Sequence, residues 1–314
     1  MLKPTKAVLA FLTLLTTTAN AAPSTATANG KTEGAARQLN GHTFIRSEFV
    51  AWPFITTHFG FTLGGGLLTS TGIGIDDNGD DFAGPIDNPV VGQSLNISIG
   101  LFDWVALRGS FTGLMWTGTD VDLILKGGAQ FAYSLDGGVT VRILKLQSLM
   151  LSLGAGTTYA QQKYVAPGRA LGALLKSGDF SAAKGGLFVD VKTLAFAPHL
   201  ALAYAPLSFI GFQSSIGFNV GKAEVGDQSV TSKALEFAIG SSLDLQKAYI
   251  PLAFLVAYQL EKTLGDQSET QHQLEAGVYY SGRPNLDLGV AFSTLLGENE
   301  YKQYLGQLRL NYVW

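Results

Sequence analysis

There is no cysteine among the 314 residues, which excludes disulfides, thiolate metal sites and a lipid-modified N-terminal cysteine together. Charge is scarce as well: 14% of residues are Asp, Glu, Lys or Arg, with 24 acidic against 21 basic. Without a net basic surface, no nucleic-acid partner is expected. Uninterrupted apolar runs of membrane-helix length are missing too. The best candidate, residues 194–212 (LAFAPHLALAYAPLSFIGF), is broken by Pro198 and Pro206 and contains His199. Its Leu200, Leu202 and Tyr204 alternate with Ala201 and Ala203, so it reads as a strand, a proline turn and a second strand.

What is present is apolar: hydrophobic residues reach 46%, and glycine contributes 38 positions. An apolar chain without a spanning helix has one common solution in lipid, because only a closed barrel satisfies every backbone group there. The first residues fit export. Lys3 and Lys6 precede the apolar residues 7–15, and Ala19-Asn20-Ala21 follows, the pattern of a secretory signal peptide (residues 1–21) cleaved after Ala21. Removing its two lysines from the 21 basic residues leaves 19 against 24 acidic. Residues 22–42 are polar and read as a flexible leader. Residues 43–57 differ: Phe44, Phe49, Trp52, Phe54 and Ile55 need burial, as a periplasmic extension of the first strand or as a plug in the lumen. Residues 58–314 read as the barrel.

From Phe59 onward, apolar residues recur at every second position, the period of a strand with one apolar face. Leu95, Ile97, Ile99 and Leu101 form one such series, Leu235, Phe237, Ile239 and Leu243 another, and Leu308, Leu310, Tyr312 and Trp314 the last. The opposite parity is mostly Gly, Ala, Ser, Gln, Asn and charge, as in Glu236, Ala238, Gly240, Ser242 and Asp244. Apolar outside and polar inside is the pattern of a transmembrane barrel. Counted this way, the chain has twelve strands in an up-and-down antiparallel barrel. Asp136-Gly137-Gly138 is read as a kink within one long strand; as a hairpin it would add a strand. Short turns fall near Asp103, residues 145–148, 206–208, 246–250 and Arg283-Pro284. Longer connections are expected at residues 68–93, 162–184 and 224–232. Short turns belong on the periplasmic side, which puts both termini there. Trp104, Tyr204, Tyr249, Tyr280, Tyr312 and Trp314 fall near that side, and Trp116, Tyr159, Tyr258 and Tyr301 near the other, as two aromatic girdles.

The stretches "ISIGLFDWVALRGSF", "YYSGRPNLDLGVAF" and the terminal "LRLNYVW" resemble strand-turn-strand units of Gram-negative outer-membrane β-barrels. They are similar to transporters of the phenol-degradation-pathway and long-chain fatty-acid channel type. The resemblance implies residence in the cell outer membrane among its lipids and passive passage of a small, hydrophobic solute without a cofactor. It also implies an assembly signal at Leu308, Leu310, Tyr312 and Trp314, read by the outer-membrane assembly machinery, with Trp314 in place of the more usual Phe. A competing reading is a non-conducting structural or interaction barrel that anchors an envelope-spanning complex for motility, adhesion or export.

Inward positions carry both charge signs, and Arg108, Arg142, His199, Glu236, Glu261, Glu275 and Arg309 are the lumen-lining candidates. Small residues at Gly289 and Ala291 are expected to let Glu275 and Arg309 meet across one strand. None of the four histidines sits in the His-x-Ser arrangement of barrel phospholipases, and no Asp-His dipeptide of the barrel proteases occurs, so no enzyme is expected. Asp76, Asn78, Asp80 and Asp87 follow calcium-loop spacing, with Asp81 where glycine belongs; the competing reading is a solvated acidic loop. Leu171, Leu174 and Leu175 fall at helical spacing and suggest a loop helix over the mouth.

Overall fold

In the computed structural model, the chain closes into a twelve-stranded antiparallel barrel. Its strands are β1 (His58–Ile75), β2 (Asp81–Phe102), β3 (Val105–Thr117), β4 (Ala129–Lys145), β5 (Leu149–Val165) and β6 (Phe188–Leu207). They continue as β7 (Ile210–Val225), β8 (Gln228–Asp244), β9 (Leu252–Leu264), β10 (Thr270–Tyr280), β11 (Leu286–Leu296) and β12 (Gln303–Val313). The structure describes residues 35–75, 81–117, 129–165, 188–225, 228–265, 268–296 and 302–314, together with Pro167, Ala170, Leu174 and Leu175, which are helical. The signal segment, most of the leader, Asp76, Asn78, Asp80, Leu171 and Tyr301 lie outside the described residues.

Each strand pairs with its sequence neighbours, and β12 closes on β1 from Gln303 opposite Leu68 to Val313 opposite His58. The wall therefore has no open edge, which is what lipid demands. Phe59, Leu63, Leu95, Ile97, Phe237, Ile239, Phe254, Phe292, Leu308 and Tyr312 are exposed on the outside. Their neighbours one residue along point into the lumen, where Asn96, Ser98, Ala238, Ala253, Ser293 and Arg309 are buried. Asp136, Gly137 and Gly138 lie within β4, paired with Ser110, Gly109 and Arg108 of β3, so no hairpin interrupts this strand. Phe102 and Trp104 stack at 5.7 Å, and Tyr312 and Trp314 approach to 5.5 Å, an aromatic girdle at the short-turn end.

Three expectations are corrected. Residues 68–75 and 81–93 are strand rather than loop: β1 and β2 stay paired from Thr69 opposite Asp87 out to Ile75 opposite Asp81. A strand needs about 9–11 residues to cross the hydrocarbon core. The 22 residues of β2 outrun it, and outside lipid the apolar alternation is no longer required. Of the residues at calcium-loop spacing, Asp76, Asn78 and Asp80 lie outside the described residues, and Asp87 is on β2. Asp87 accepts a hydrogen bond from Thr69 Oγ1. Trp116 is not in the outer girdle; it is 3% exposed and faces inward, whereas Met115 beside it is 57% exposed on the outside. Residues 224–232 are likewise mostly strand, with only residues 226–227 between β7 and β8 outside the described set.

A barrel this closed predicts extraction only with detergent and faster migration in gels before boiling than after. Recovery from a periplasmic extract without detergent would contradict the assignment.

Candidate functional site

The lumen is occupied from one end by the chain's own N-terminal segment. Residues 35–37 form a 3-10 turn, and Gln38–Leu39 pairs with His42–Thr43 as a small inner hairpin. Its turn is Asn40-Gly41, both at positive φ (48° and 78°), the conformation that Asn-Gly readily adopts in two-residue hairpins. The expected leader boundary at residue 42 thus falls inside an ordered element. That signal, Asn40-Gly41 between short extended pairs, was present in the sequence and masked by the polarity around it.

The hairpin lies across the short-turn mouth. Asn40 donates its backbone N–H to Gln147 O at 2.8 Å and its amide to Ala205 O and Pro206 O, tying it to two turns. On the opposite rim Arg37 donates to Pro284 O and pairs with Asp287, both side chains buried. From there the segment climbs into the lumen. Gln213 donates to Ile45 O at 2.7 Å, and Ser47 Oγ to Glu275 Oε2 at 2.6 Å. It then descends through Pro53, whose carbonyl accepts from Ser152, to join β1 at His58. Phe44, Trp52 and Phe54 pack with Met150, Ala203 and Ala205 of the wall, and Phe49 and Val50 with Ala238 and Ala257. These inward alanines make room for the aromatic side chains. This packing buries Phe44, Phe49, Trp52 and Phe54, whereas Ile55 is half-buried.

Two of the sequence candidates form the deepest anchor. Arg309 on β12 pairs with Glu275 on β10, across β11, where Gly289 lies opposite Arg309 and Ser293 opposite Glu275. Arg309 Nη1 also donates to Tyr279 Oη at 2.8 Å. Its Nε stands 3.3 Å from Glu48 of the inner segment, and Gln307 donates to Glu48 at 3.0 Å. Glu275 is 0% exposed and Arg309 is 3% exposed. One guanidinium thus serves a carboxylate of the wall and a carboxylate of the inner segment. A pair this buried is held by its hydrogen bonds, and losing either member leaves a costly uncompensated charge.

Above the inner segment, toward the long hairpins, are two recesses. The first, about 500 Å³ with its open mouth included, is lined by Arg108, Asp136, Thr158, His199, Asn219 and Glu236 among others. Arg108 and His199 come together at 3.5 Å, with Arg108 Nη2 donating to Trp52 O at 2.8 Å. His199 is opposite Gly154 and Gly217 in register, and a Cβ on Gly154 would overlap the imidazole. Glu236 is opposite Glu261, both buried. The second recess, about 600 Å³, is lined by Glu48, Thr62, Ser94, Thr112 and Gln307, with Val90, Leu114 and Leu305. Leu68, Val90 and Trp116 form an inward apolar cluster against which Leu114 and Leu305 pack. Arg142 stands apart, opposite Ser152 near the short-turn end. Leu308, Tyr312 and Trp314 face outward, and Leu310 is half-buried.

Sequence reasoning did not single out Arg37, Glu48 or Asp136 as site residues. The first two lie before the barrel, where no alternation marks their direction; Asp136, next to Gly137-Gly138, stands out in the sequence only as part of a kink. Among the described residues no group of three or more His, Asp or Glu side chains is placed to hold a metal.

The sequence matches no family model and no curated protein. Its fold is similar to the Pseudomonas putida toluene transporter TodX (9% identity, 94% of this chain and 96% of that one, TM-score 0.39). It is similar too to the NanC porin (9% identity, 81% and 98%, TM-score 0.47). A third is the β domain of the Bordetella autotransporter BrkA (11% identity, 82% and 99%, TM-score 0.49).

Proposed function

We propose that this protein is an outer-membrane channel for a small solute, closed in the conformation described by its own N-terminal segment. The observation that carries the reading is the division of the lumen: residues 37–57 fill the short-turn half, and the two recesses lie beyond them. The blocking element is a single segment continuous with β1 only at Thr57-His58, so it can leave without breaking a strand pairing of the wall. Short turns on the periplasmic side would put both termini in the periplasm, with the recesses facing outward. The hydrophobic solute that the family resemblance implies finds support in one lumen surface, the Leu68, Val90 and Trp116 cluster.

The second reading, a non-conducting barrel that anchors an envelope complex, is favoured by the two ion pairs that fasten the segment to the wall, Arg37 with Asp287 and Glu48 with Arg309. Planar-bilayer conductance separates the two. The mature chain should show little current, and a variant lacking residues 35–52 should show a steady pore. If the deletion closes as a heat-modifiable barrel yet conducts no better than the full chain, the channel reading fails and the anchoring barrel stands.

A further inference from the structure

The first recess contains two opposite charges that do not meet. Arg108 on β3 is opposite Gly138, and Asp136 lies one diagonal step away on β4, roughly 7–8 Å between side-chain roots. Yet Arg108 turns to the Trp52 carbonyl and His199, and has no carboxylate partner among the described residues. Asp136 accepts from Ser110 at 2.7 Å and has the hydroxyls of Ser134 and Thr158 beside it, but no basic side chain pairs with it among the described residues. Across the recess Asn219, 5% exposed, holds a buried Oδ1 that is without a partner among them. A structural core with these groups would bring the two charges together, since an uncompensated charge away from water is costly. Here the wall between them is glycine: Gly109, Gly137, Gly138 and Gly156 line the gap.

From this arrangement we infer that the recess binds a compact zwitterion, its carboxylate at Arg108 and its ammonium at Asp136. Such a ligand needs one charge-assisted hydrogen bond of about 2.8 Å at each end. The glycine-lined gap leaves room for a compact ligand at that place. A lone anion would face the Asp136 carboxylate, and a lone cation would leave Arg108 without a carboxylate. The inference rests on the lumen being reached by solutes, as the channel reading holds, and concerns binding rather than flow.

The test uses the full mature barrel in detergent micelles and saturation-transfer NMR with glycine, methylammonium and acetate, the zwitterion and its two halves. Glycine should bind, with each half at least about tenfold weaker, the worth of one hydrogen bond to a charged group. Arg108→Gln and Asp136→Asn should each raise the glycine Kd by about tenfold or more. Gly156→Val keeps both charges but fills the space; its Cβ would first meet Gly137 O at 3.4 Å, an ordinary contact, and heat-modifiable migration checks that the variant barrel closes. Binding should be lost in that variant. Methylammonium binding as tightly as glycine, glycine binding unchanged in Gly156→Val, or no glycine binding to the wild-type barrel would each overturn the inference. Because no current is measured, a barrel that binds glycine and never conducts would remove the channel and keep the site, and conduction without glycine binding would do the reverse.

Discussion

Replacing Arg309 with leucine should loosen the inner segment and raise its exposure to solvent without opening the wall. The guanidinium is the shared partner of Glu275 and Glu48, so its removal strands one carboxylate in the wall and another in the segment. Breaking a buried pair from one side costs about 3–5 kcal/mol. Little of that falls on the strand ladder, since β11 and β12 keep their backbone pairing from Leu286 opposite Tyr312 to Thr294 opposite Tyr304. The cost falls on the contact between segment and wall, where Ser47 Oγ and Glu48 N also depend on Glu275. The chain has no cysteine, so Ala51→Cys, 2% exposed, gives a single reporter. A membrane-impermeant maleimide should label it slowly in the otherwise wild-type barrel and at least about tenfold faster with Arg309→Leu, as 1.4 kcal/mol already shifts an opening equilibrium tenfold. Adding Glu275→Leu should recover part of the protection, because removing both members of a buried pair is far less costly than removing one. Equal protection in the wild-type background and in Arg309→Leu would show that the segment is held by its aromatic packing alone. This differs from the role that a lumen-lining arginine suggests at first: Arg309 is enclosed between wall and segment, so its effect on current would come through the segment.

Deleting residues 312–314 should abolish insertion of a closed barrel. Tyr312 and Val313 pair with Phe59 and His58, Val313 N–H also reaches Asn285 O at 2.8 Å, and Trp314 N–H bonds Thr57 O at 3.0 Å. The lost residues are where the last strand, the first strand and the inner segment meet. Without them, backbone groups of β1 would face lipid unpaired at the short-turn end, which no spanning structure tolerates. The exposed rings of Tyr312 and Trp314 are lost from the girdle as well. Membrane-fraction yield of heat-modifiable protein should fall to background. Trp314→Phe keeps an aromatic ring and should insert normally, whereas Tyr312→Asp should fail by placing charge on the lipid face. Normal yield of the truncated chain would show that the seam is set by residues 303–311 alone and would remove support for a terminal assembly signal.

The barrel was legible because lipid imposes a rule that each strand must write into its own sequence. Leu95, Ile97, Ile99 and Leu101 can be assigned outward without knowing any neighbour, since the period of two and the apolar solvent suffice. The rule weakens past the hydrocarbon core, which is why the outer parts of β1 and β2 looked like a loop. It also describes only the lipid face, so an apolar residue of the opposite parity could be missed. Residue type alone points Trp116 to a girdle, yet Met115 beside it holds the outward position.

The amino-acid sequence by itself determined the number of strands, their facing and the meeting of Glu275 with Arg309, because each follows from local periodicity and one antiparallel register. Tertiary structure alone decided what those inward groups do. Glu48 and Arg309 are 261 positions apart, and Arg37 and Asp287 are 250 apart, in a segment where no alternation indicates which wall residue will be met. The same holds for Arg108 and Asp136: two charges a diagonal step apart would ordinarily be read as a pair, and only the Trp52 carbonyl beneath Arg108 draws it away. Lipid selects a side chain for one face of its own strand, whereas the lumen is built from contacts among all twelve strands and the segment they enclose.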